Sequence, residues 1–491
     1  MNRPIRYLAI ACMVMFVALL ANINYVQFVE ADSLNAKNGN KRVINEEFSR
    51  DRGAILVGDD PVAESVESDD EFKYQRRYTD GKLYAPVTGY FSYVFGRGGL
   101  ENSQNRVLSG SDNRLFVNRV VDLLSNKQPK GGSVETTLDP LAQKVAASGL
   151  EALGEDTKGA VVALDPSTGA ILAMVTQPSY NPNVLARHDF SAVDDDWQRL
   201  TTDKDQPMLN RGTQQILPPG STFKLVTAAA ALENLDLKPS DRVKAGSSLS
   251  FPGGITYKLT NLDNGNCGGE RITFERALNI SCNVSFGWLA GKVGQDDLAA
   301  QASKFGFGSD TLAGLASNPS RYTTEEGADL EAPQLAQSGI GQFEVATTPL
   351  QMAMVAGGIG NGGDVMRPYI VKTLRAPNLR VLDETEPERL SQAMSSANAA
   401  QLTSMMVSTV KSGTATSARI SGVDVGGKTG TAQSTADRPP YAWFVSMAPA
   451  DDPKVAVAVV VESSSTARSE IAGGRLSGPI ARSVMEAVLG K

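Results

Sequence analysis

Apolar residues are arranged along this chain in three ways, and each arrangement predicts a different element. The first is one continuous run near the N-terminus. Residues 7–21 are apolar almost throughout, and weakly apolar positions continue to Phe28. That length crosses a bilayer if Asn22, Asn24 and Gln27 lie at the far interface. Arg3 and Arg6 precede the run, which places the N-terminus in the cytoplasm and the remainder outside. A cleaved signal peptide is the rival, but no small-x-small site follows the run. Cys12 follows too short an apolar stretch to be a lipoprotein cysteine. The run reads as an uncleaved transmembrane anchor.

The second arrangement is short apolar runs bounded by turn residues. Residues 160–164 and 170–175 flank Asp165-Pro166-Ser167-Thr168-Gly169, which predicts a hairpin. Both runs lack alternation, so the sheet should be covered on both faces. Strand-like runs return at 422–428, 442–448 and 455–461, the last two separated by Pro449-Ala450-Asp451-Asp452-Pro453. The third arrangement is helical. Asp139 and Pro140 open a helix over 141–153 as N-cap and first helical residue. Residues 225–232 favour helix, and a last helix is predicted from about 480 to 489. From Ser221 to about 420 the chain reads as mostly helical, with polar loops such as 251–266. Two early strands and about three late ones therefore bracket a helical insert. The predicted fold is mixed α/β: one antiparallel sheet flanked by helices, plus a helical subdomain.

Between anchor and sheet the pattern is less regular. Residues 35–50 are polar and read as a stalk. Arg52-Gly53-Ala54-Ile55-Leu56-Val57 is a glycine turn leading into a strand. Residues 50–130 hold short aromatic and Gly-containing segments, with one helical pattern over 113–124. Gln128-Pro129-Lys130-Gly131-Gly132 reads as a boundary. The organisation is a cytoplasmic tail (1–6), an anchor (7–28), a stalk with a small pedestal domain (29–130) and a main domain (131–491).

Composition narrows the chemistry. A net charge of −7 gives no reason to expect nucleic acid as a partner. The single histidine, His188, lies in a polar, loop-like stretch. It excludes a His-based metal cluster and leaves a Ser-His-Asp triad only this one imidazole. Reaction chemistry must run on Ser, Lys, Asp, Glu or Tyr. Cys267 and Cys282, about 15 residues apart outside the cytoplasm, suggest a disulfide; two free thiols are the alternative.

The strongest candidate nucleophile is Ser221. In Leu217-Pro218-Pro219-Gly220-Ser221-Thr222-Phe223-Lys224 the prolines and glycine forbid helix before Ser221, and helix follows. Ser221 and Lys224, three apart, share one helix face. A serine hydroxyl needs a base, and a neutral Lys224 amine could serve, since lysine loses its proton when desolvated or near another cation. Ser281-Cys282-Asn283 follows a predicted helix over 274–279 and offers a hydroxyl to shuttle a proton and an amide to hold a substrate amide. Lys428-Thr429-Gly430-Thr431-Ala432-Gln433 ends the predicted strand that starts near Val423. Lys428 offers a cation for a carboxylate and could help keep Lys224 neutral. Gly430 removes a side chain where substrate backbone could pair with the strand. Each pattern has copies elsewhere: Ser408-Thr409-Val410-Lys411, Ser111-Asp112-Asn113 and Lys411-Ser412-Gly413-Thr414. The order and context of the three chosen sites set them apart from these copies.

Ser-x-x-Lys, then Ser-x-Asn, then Lys-Thr-Gly, in this order, is the signature of penicillin-binding proteins and serine β-lactamases. The chain resembles a class B penicillin-binding protein, of the smaller actinobacterial type, over nearly its whole length. Arg52-Gly53-Ala54-Ile55 and Gly99-Leu100-Glu101 resemble segments of that class's pedestal. Thr137-Leu138-Asp139-Pro140 resembles the start of its transpeptidase domain. Gly339-Ile340-Gly341-Gln342 and Thr348-Pro349-Leu350-Gln351-Met352-Ala353 resemble the stretch between the second and third motifs. The resemblance implies a penicillin-binding transpeptidase fold over 131–491. It implies a D,D-transpeptidase acting on D-Ala-D-Ala stem peptides through an acyl-serine, blocked by β-lactams and needing no metal or organic cofactor. It makes Ser221 the nucleophile, Lys224 its base and Ser281 a proton relay to the leaving group. Asn283 would hold the acyl amide, and Lys428 and Thr429 the carboxylate region. Backbone N–H groups of Ser221 and Thr431 would form the oxyanion hole. The implied partners are a membrane glycan polymerase and divisome proteins. A D,D-carboxypeptidase uses the same chemistry with water as acceptor. A β-lactam-binding scaffold or sensor that recruits cell-wall partners is the non-enzymatic alternative.

Overall fold

The computed structural model describes residues 3–30, 47–116, 128–262, 265–323, 329–432, 439–466 and 471–491, with residues 34, 45, 122, 124 and 125. The stalk sequence 35–44 and Gln433 lie outside them. So does half of the helical pattern over 113–124, of which Asn113–Leu115 is a single 3-10 turn.

The elements that place the site are, in chain order, α1 (Arg3–Phe28), β1 (Ile55–Val57), β2 (Asp60–Glu67), β3 (Tyr74–Tyr78), β4 (Ser133–Thr136), α2 (Pro140–Glu151), β5 (Lys158–Leu164), β6 (Ile171–Gln177), α3 (Lys224–Asn234), α4 (Phe274–Asn279), α5 (Asn283–Val293), α6 (Pro349–Gly360), β7 (Val371–Arg375), β8 (Val381–Glu384), α7 (Ser396–Ser412), β9 (Gly426–Ala432), β10 (Tyr441–Ala448), β11 (Val455–Ser463) and α8 (Gly473–Val488). Helix α1 is the apolar run near the N-terminus, long and apolar enough to cross a membrane and exposed along its length.

The core of the molecule is a five-stranded sheet in the order β9-β10-β11-β5-β6, antiparallel throughout. The early hairpin and the late strands thus join into one sheet, as the apolar runs predict. Strand β10 is buried at all eight positions, because each face carries helices. On one face α2 and α8 cover Val161, Phe444 and Val457; on the other α6 and the helical subdomain cover Val162, Trp443 and Val445. Asp139 caps α2 by accepting from the Ala142 N–H at 2.7 Å.

Three features depart from the sequence expectations. The third-motif strand starts at Gly426, not near Val423, and runs past residue 428 to Ala432, so Lys428-Thr429-Gly430 lies within β9. The last helix starts at Gly473, ahead of Pro479, which stands inside it. Burial of Leu476, Ile480, Val484 and Met485 outweighs the lost N–H. Its first residue must be glycine, because a Cβ at Gly473 would lie 1.9 Å from the Trp443 carbonyl oxygen. Third, the insert between Ser221 and residue 420 carries short strands as well as helices. Two of them, β7 and β8, leave the helical subdomain and join β4 and β1–β3 in a six-stranded sheet, in the order β8-β7-β4-β1-β2-β3.

Under that sheet Glu101 is fully buried between two arginines. Its carboxylate accepts from Arg52 Nε and Arg76 Nε, each at 2.6 Å. Two of the segments singled out by the sequence, at Arg52 and at Glu101, therefore meet in one ion-pair network.

Candidate active site

Pro218 and Pro219 hold the chain out of helix, and a single 3-10 turn, Gly220–Thr222, then feeds α3. Ser221 sits on that turn, three residues before the first residue of the α-helix. The turn is tied to the rest of the site by the Gly220 N–H, which donates to the Gly341 carbonyl at 2.9 Å.

Lys224, the first residue of α3, is fully buried. Its Nζ contacts Asn283 Oδ1 at 2.6 Å, the Ser281 carbonyl at 2.7 Å and Ser281 Oγ at 3.2 Å. Ser221 Oγ is not among these partners. Burial, and secondarily the charge of Lys428, holds the Lys224 amine well below the usual lysine range. The site thus favours a neutral amine.

Ser281 follows the end of α4 with φ +60, in the left-handed region. For a non-glycine residue this costs about 1–2 kcal/mol. Local bonds hold it there: the Ser281 N–H donates to Leu278 and the Cys282 N–H to Ala277. The neighbouring Cys282 is bonded to Cys267, with Cα atoms 5.9 Å apart. Asn283 opens α5, and its amide bridges the site, Oδ1 to Lys224 and Nδ2 to the Thr260 carbonyl at 3.0 Å.

Lys428 projects from the middle of β9 and is also fully buried. Its Nζ donates to Ser281 Oγ at 2.9 Å and to the Thr429 carbonyl at 2.8 Å. Burial pulls its amine down to about 7. Lys428 therefore lies beneath Ser281, not against a carboxylate in the open cleft as the sequence suggested. The reading of Gly430 changes too. A Cβ there would lie 2.9 Å from the Pro219 carbonyl and 2.9 Å from Thr222 Cγ2. Its missing side chain lets β9 approach the nucleophile turn. Thr429 and Thr431 take the other face and line the cleft. Strand β9 is the sheet edge, so one side of its backbone is unpaired by any strand of this sheet.

Ser221 stands between two recesses. The larger, about 550 Å³, is bounded by Ser281, Thr414, Thr429 and Arg475. The smaller, about 150 Å³, is bounded by Tyr257, Leu262, Gln337 and Gln342. Asn283 and Thr431 border both. Among the described residues, no group of three His, Cys, Asp or Glu side chains could hold a metal ion. His188 lies elsewhere, against the Asp70 carboxylate and the rings of Phe48 and Phe72.

The sequence missed Thr414. It belongs to Lys411-Ser412-Gly413-Thr414, a copy of the third motif set aside because it ends a helix. It does end α7, yet Thr414 Oγ1 lies 2.7 Å from Thr429 Oγ1. The rejected copy of the first motif also has a use: Ser408 and Thr409 bind the side chain of Asn279, at the end of α4. No local signal marks either role, because both arise from packing between distant segments.

The family model of the penicillin binding protein transpeptidase domain matches residues 159–486, and that of the penicillin binding protein A dimerisation domain matches residues 52–134. The peptidoglycan D,D-transpeptidase PbpA of Mycolicibacterium smegmatis is 42% identical, covering 100% of this chain and 99% of its own. Its namesake in Mycobacterium tuberculosis is 39% identical with the same coverage. The solved structure of penicillin-binding protein A from M. tuberculosis, as a ceftriaxone acyl-enzyme complex, superposes with a TM-score of 0.86 at 39% identity. The match covers 91% of this chain and all of that one.

Proposed function

This chain belongs to the class B penicillin-binding proteins, and from that premise we propose that it is a peptidoglycan D,D-transpeptidase in which Ser221 forms the acyl-enzyme. The observation that carries the assignment is the run of contacts from Lys224 through Ser281 to Lys428, with Ser281 and Ser221 lining the same recess. A neutral Lys224 has two N–H groups and one lone pair. Asn283 Oδ1 and the Ser281 carbonyl only accept, so they take the two N–H groups. The lone pair is left for a hydroxyl. Lys428 donates to Ser281 Oγ, so the proton of Ser281 is free to point at Lys224.

When the stem peptide binds, Lys224 takes the proton of Ser221 as Oγ attacks the penultimate D-Ala carbonyl. This requires the lone pair to turn from Ser281 to Ser221, and contacts of this kind often tighten only in the substrate complex. The oxyanion is held by the backbone N–H groups of Ser221 and Thr431. The proton then passes from Lys224 through Ser281 Oγ to the departing D-Ala amine. By reversibility, the acceptor amine of a second stem peptide approaches from that same side and returns its proton along the same path. A recess of about 550 Å³ on the Ser281 side far exceeds the roughly 30 Å³ of one water. It holds the donor's departing D-Ala and, once that has left, has room for a peptide acceptor. The smaller recess, beside Asn283, then takes the acyl part of the donor. A β-lactam acylates the same serine and stalls.

The anchor helix holds the catalytic domain outside the plasma membrane, a reading supported by Arg3 and Arg6 at its start. The partners on this reading are a membrane glycan polymerase, which supplies the strands to be joined, and divisome proteins.

The test is intact-mass spectrometry of the detergent-solubilised chain with a penicillin, followed over hours and repeated with Ser221→Ala. A long-lived adduct on the unaltered chain alone is the expected result. Rapid turnover to hydrolysed drug would overturn the transpeptidase reading in favour of a β-lactamase. Absence of any adduct would leave a scaffold.

A further inference from the structure

Lys428 is occupied beneath the cleft, so of the two residues that the resemblance assigns to the carboxylate shared by stem peptides and β-lactams, Thr429 alone stands in the wall. We infer that Thr414 is a binding residue for that carboxylate, acting with Thr429 as a pair of hydroxyls. This rests on the acyl-serine reading above and extends it to a residue outside the three motifs.

The geometry carries the inference in three steps. First, Lys428 Nζ has Ser281 Oγ and the Thr429 carbonyl as partners and is fully buried, so its cation reaches the cleft only as a field. Direct donors must come from the wall. Second, Thr429 and Thr414 are both in that wall, with hydroxyl oxygens 2.7 Å apart. In such a pair one hydroxyl donates to the other and one proton is left over. A carboxylate has two oxygens and only accepts, so both hydroxyls can turn and donate to it. Third, Thr414 is fixed relative to the catalytic groups. Its N–H donates to the Asn279 carbonyl at 3.0 Å, and Asn279 in turn binds Ser408 and Thr409 of α7. Asn279 is two residues before Ser281. One short frame therefore sets Thr414, Thr429 and Ser281 together, while the Thr414 side chain stays exposed to the cleft.

The experiment compares Thr414→Val and Thr414→Ser with the unaltered full-length chain. Second-order acylation is measured with a penicillin and with its carboxyl methyl ester. A hydrogen bond to a charged group is worth about 1.5–3 kcal/mol, so Thr414→Val should acylate at least about tenfold more slowly with the free acid. Thr414→Ser should restore the rate. The ester should react slowly with all three proteins and be indifferent to the valine. Equal rates of valine variant and unaltered chain on the free acid would overturn the inference. So would an equal loss on acid and ester, since that is the mark of a merely structural role. Failure of the parent reading looks different: the unaltered chain would form no Ser221 adduct with either compound, and both proposals would fall.

Discussion

Lys428 Nζ and Ser281 Oγ, 147 positions apart in the chain, lie 2.9 Å from each other in the folded protein. The contact joins an edge strand of the sheet to a loop of the helical subdomain. It places a buried amine with a depressed pKa directly behind the hydroxyl that faces Lys224.

The burial of Lys428 has a consequence for stability. Its amine falls from 10.5 to about 7 on folding, through desolvation. Between those values the unfolded chain binds more protons than the native one, so stability rises with pH over that window. The penalty is present in full below about 7 and is lost as pH approaches 10.5. Urea melts at pH 7 and pH 9.5 should show the unaltered chain gaining on Lys428→Met as pH rises. A constant difference between the two proteins would mean that Lys428 is not depressed.

The left-handed backbone at Ser281 separates fold from chemistry. Ser281→Gly should exceed Ser281→Ala in stability by about 1 kcal/mol, because glycine adopts positive φ without a Cβ clash. Both should lose acylation together, since neither has a hydroxyl between Lys428 and Lys224. Thermal melts and penicillin acylation of the two variants decide this. An alanine variant at least as stable as the glycine variant would refute the strain.

Cys282 lies between Ser281 and Asn283, so its bond to Cys267 tethers both groups that contact Lys224. Reduction should slow acylation severalfold while leaving the fold intact, as should Cys267→Ser. Unchanged acylation, with loss of the bridge confirmed by mass, would sink the idea.

Glu101 is a structural acid. Burial alone would raise its pKa, but Arg76 and Arg52 outweigh that and hold the carboxyl below the usual range. Its contribution is then present at neutral pH and lost as pH falls through the depressed value. Glu101→Gln leaves two buried guanidiniums short of a counter-charge and should cost about 3–5 kcal/mol. Chemical denaturation at pH 7 measures the loss, and the gap between variant and unaltered chain should close in acid. A Glu101→Gln variant as stable as the unaltered chain would show that the ion-pair network with Arg52 and Arg76 contributes nothing.

What the sequence determined by itself is what local chemistry encodes. Apolar runs without alternation define strands buried on both faces, and β5, β6, β10 and β11 follow them closely. Proline and glycine before Ser221, with helix formers after Lys224, mark a nucleophile turn at a helix start. Motif order names Ser281, Asn283, Lys428 and Thr429 as candidates. What it could not decide depends on which distant surfaces pack. The start of α8 ahead of Pro479 is set by contact with β10, not by propensity. The task of Gly430 follows from the approach of the Pro219 turn, and the occupancy of Lys428 from the position of Ser281. Thr414 reads as an ordinary residue after a helix until α7 is laid against β9. Side-chain partners are chosen by three-dimensional proximity, and a short motif carries no information about its neighbours across the fold.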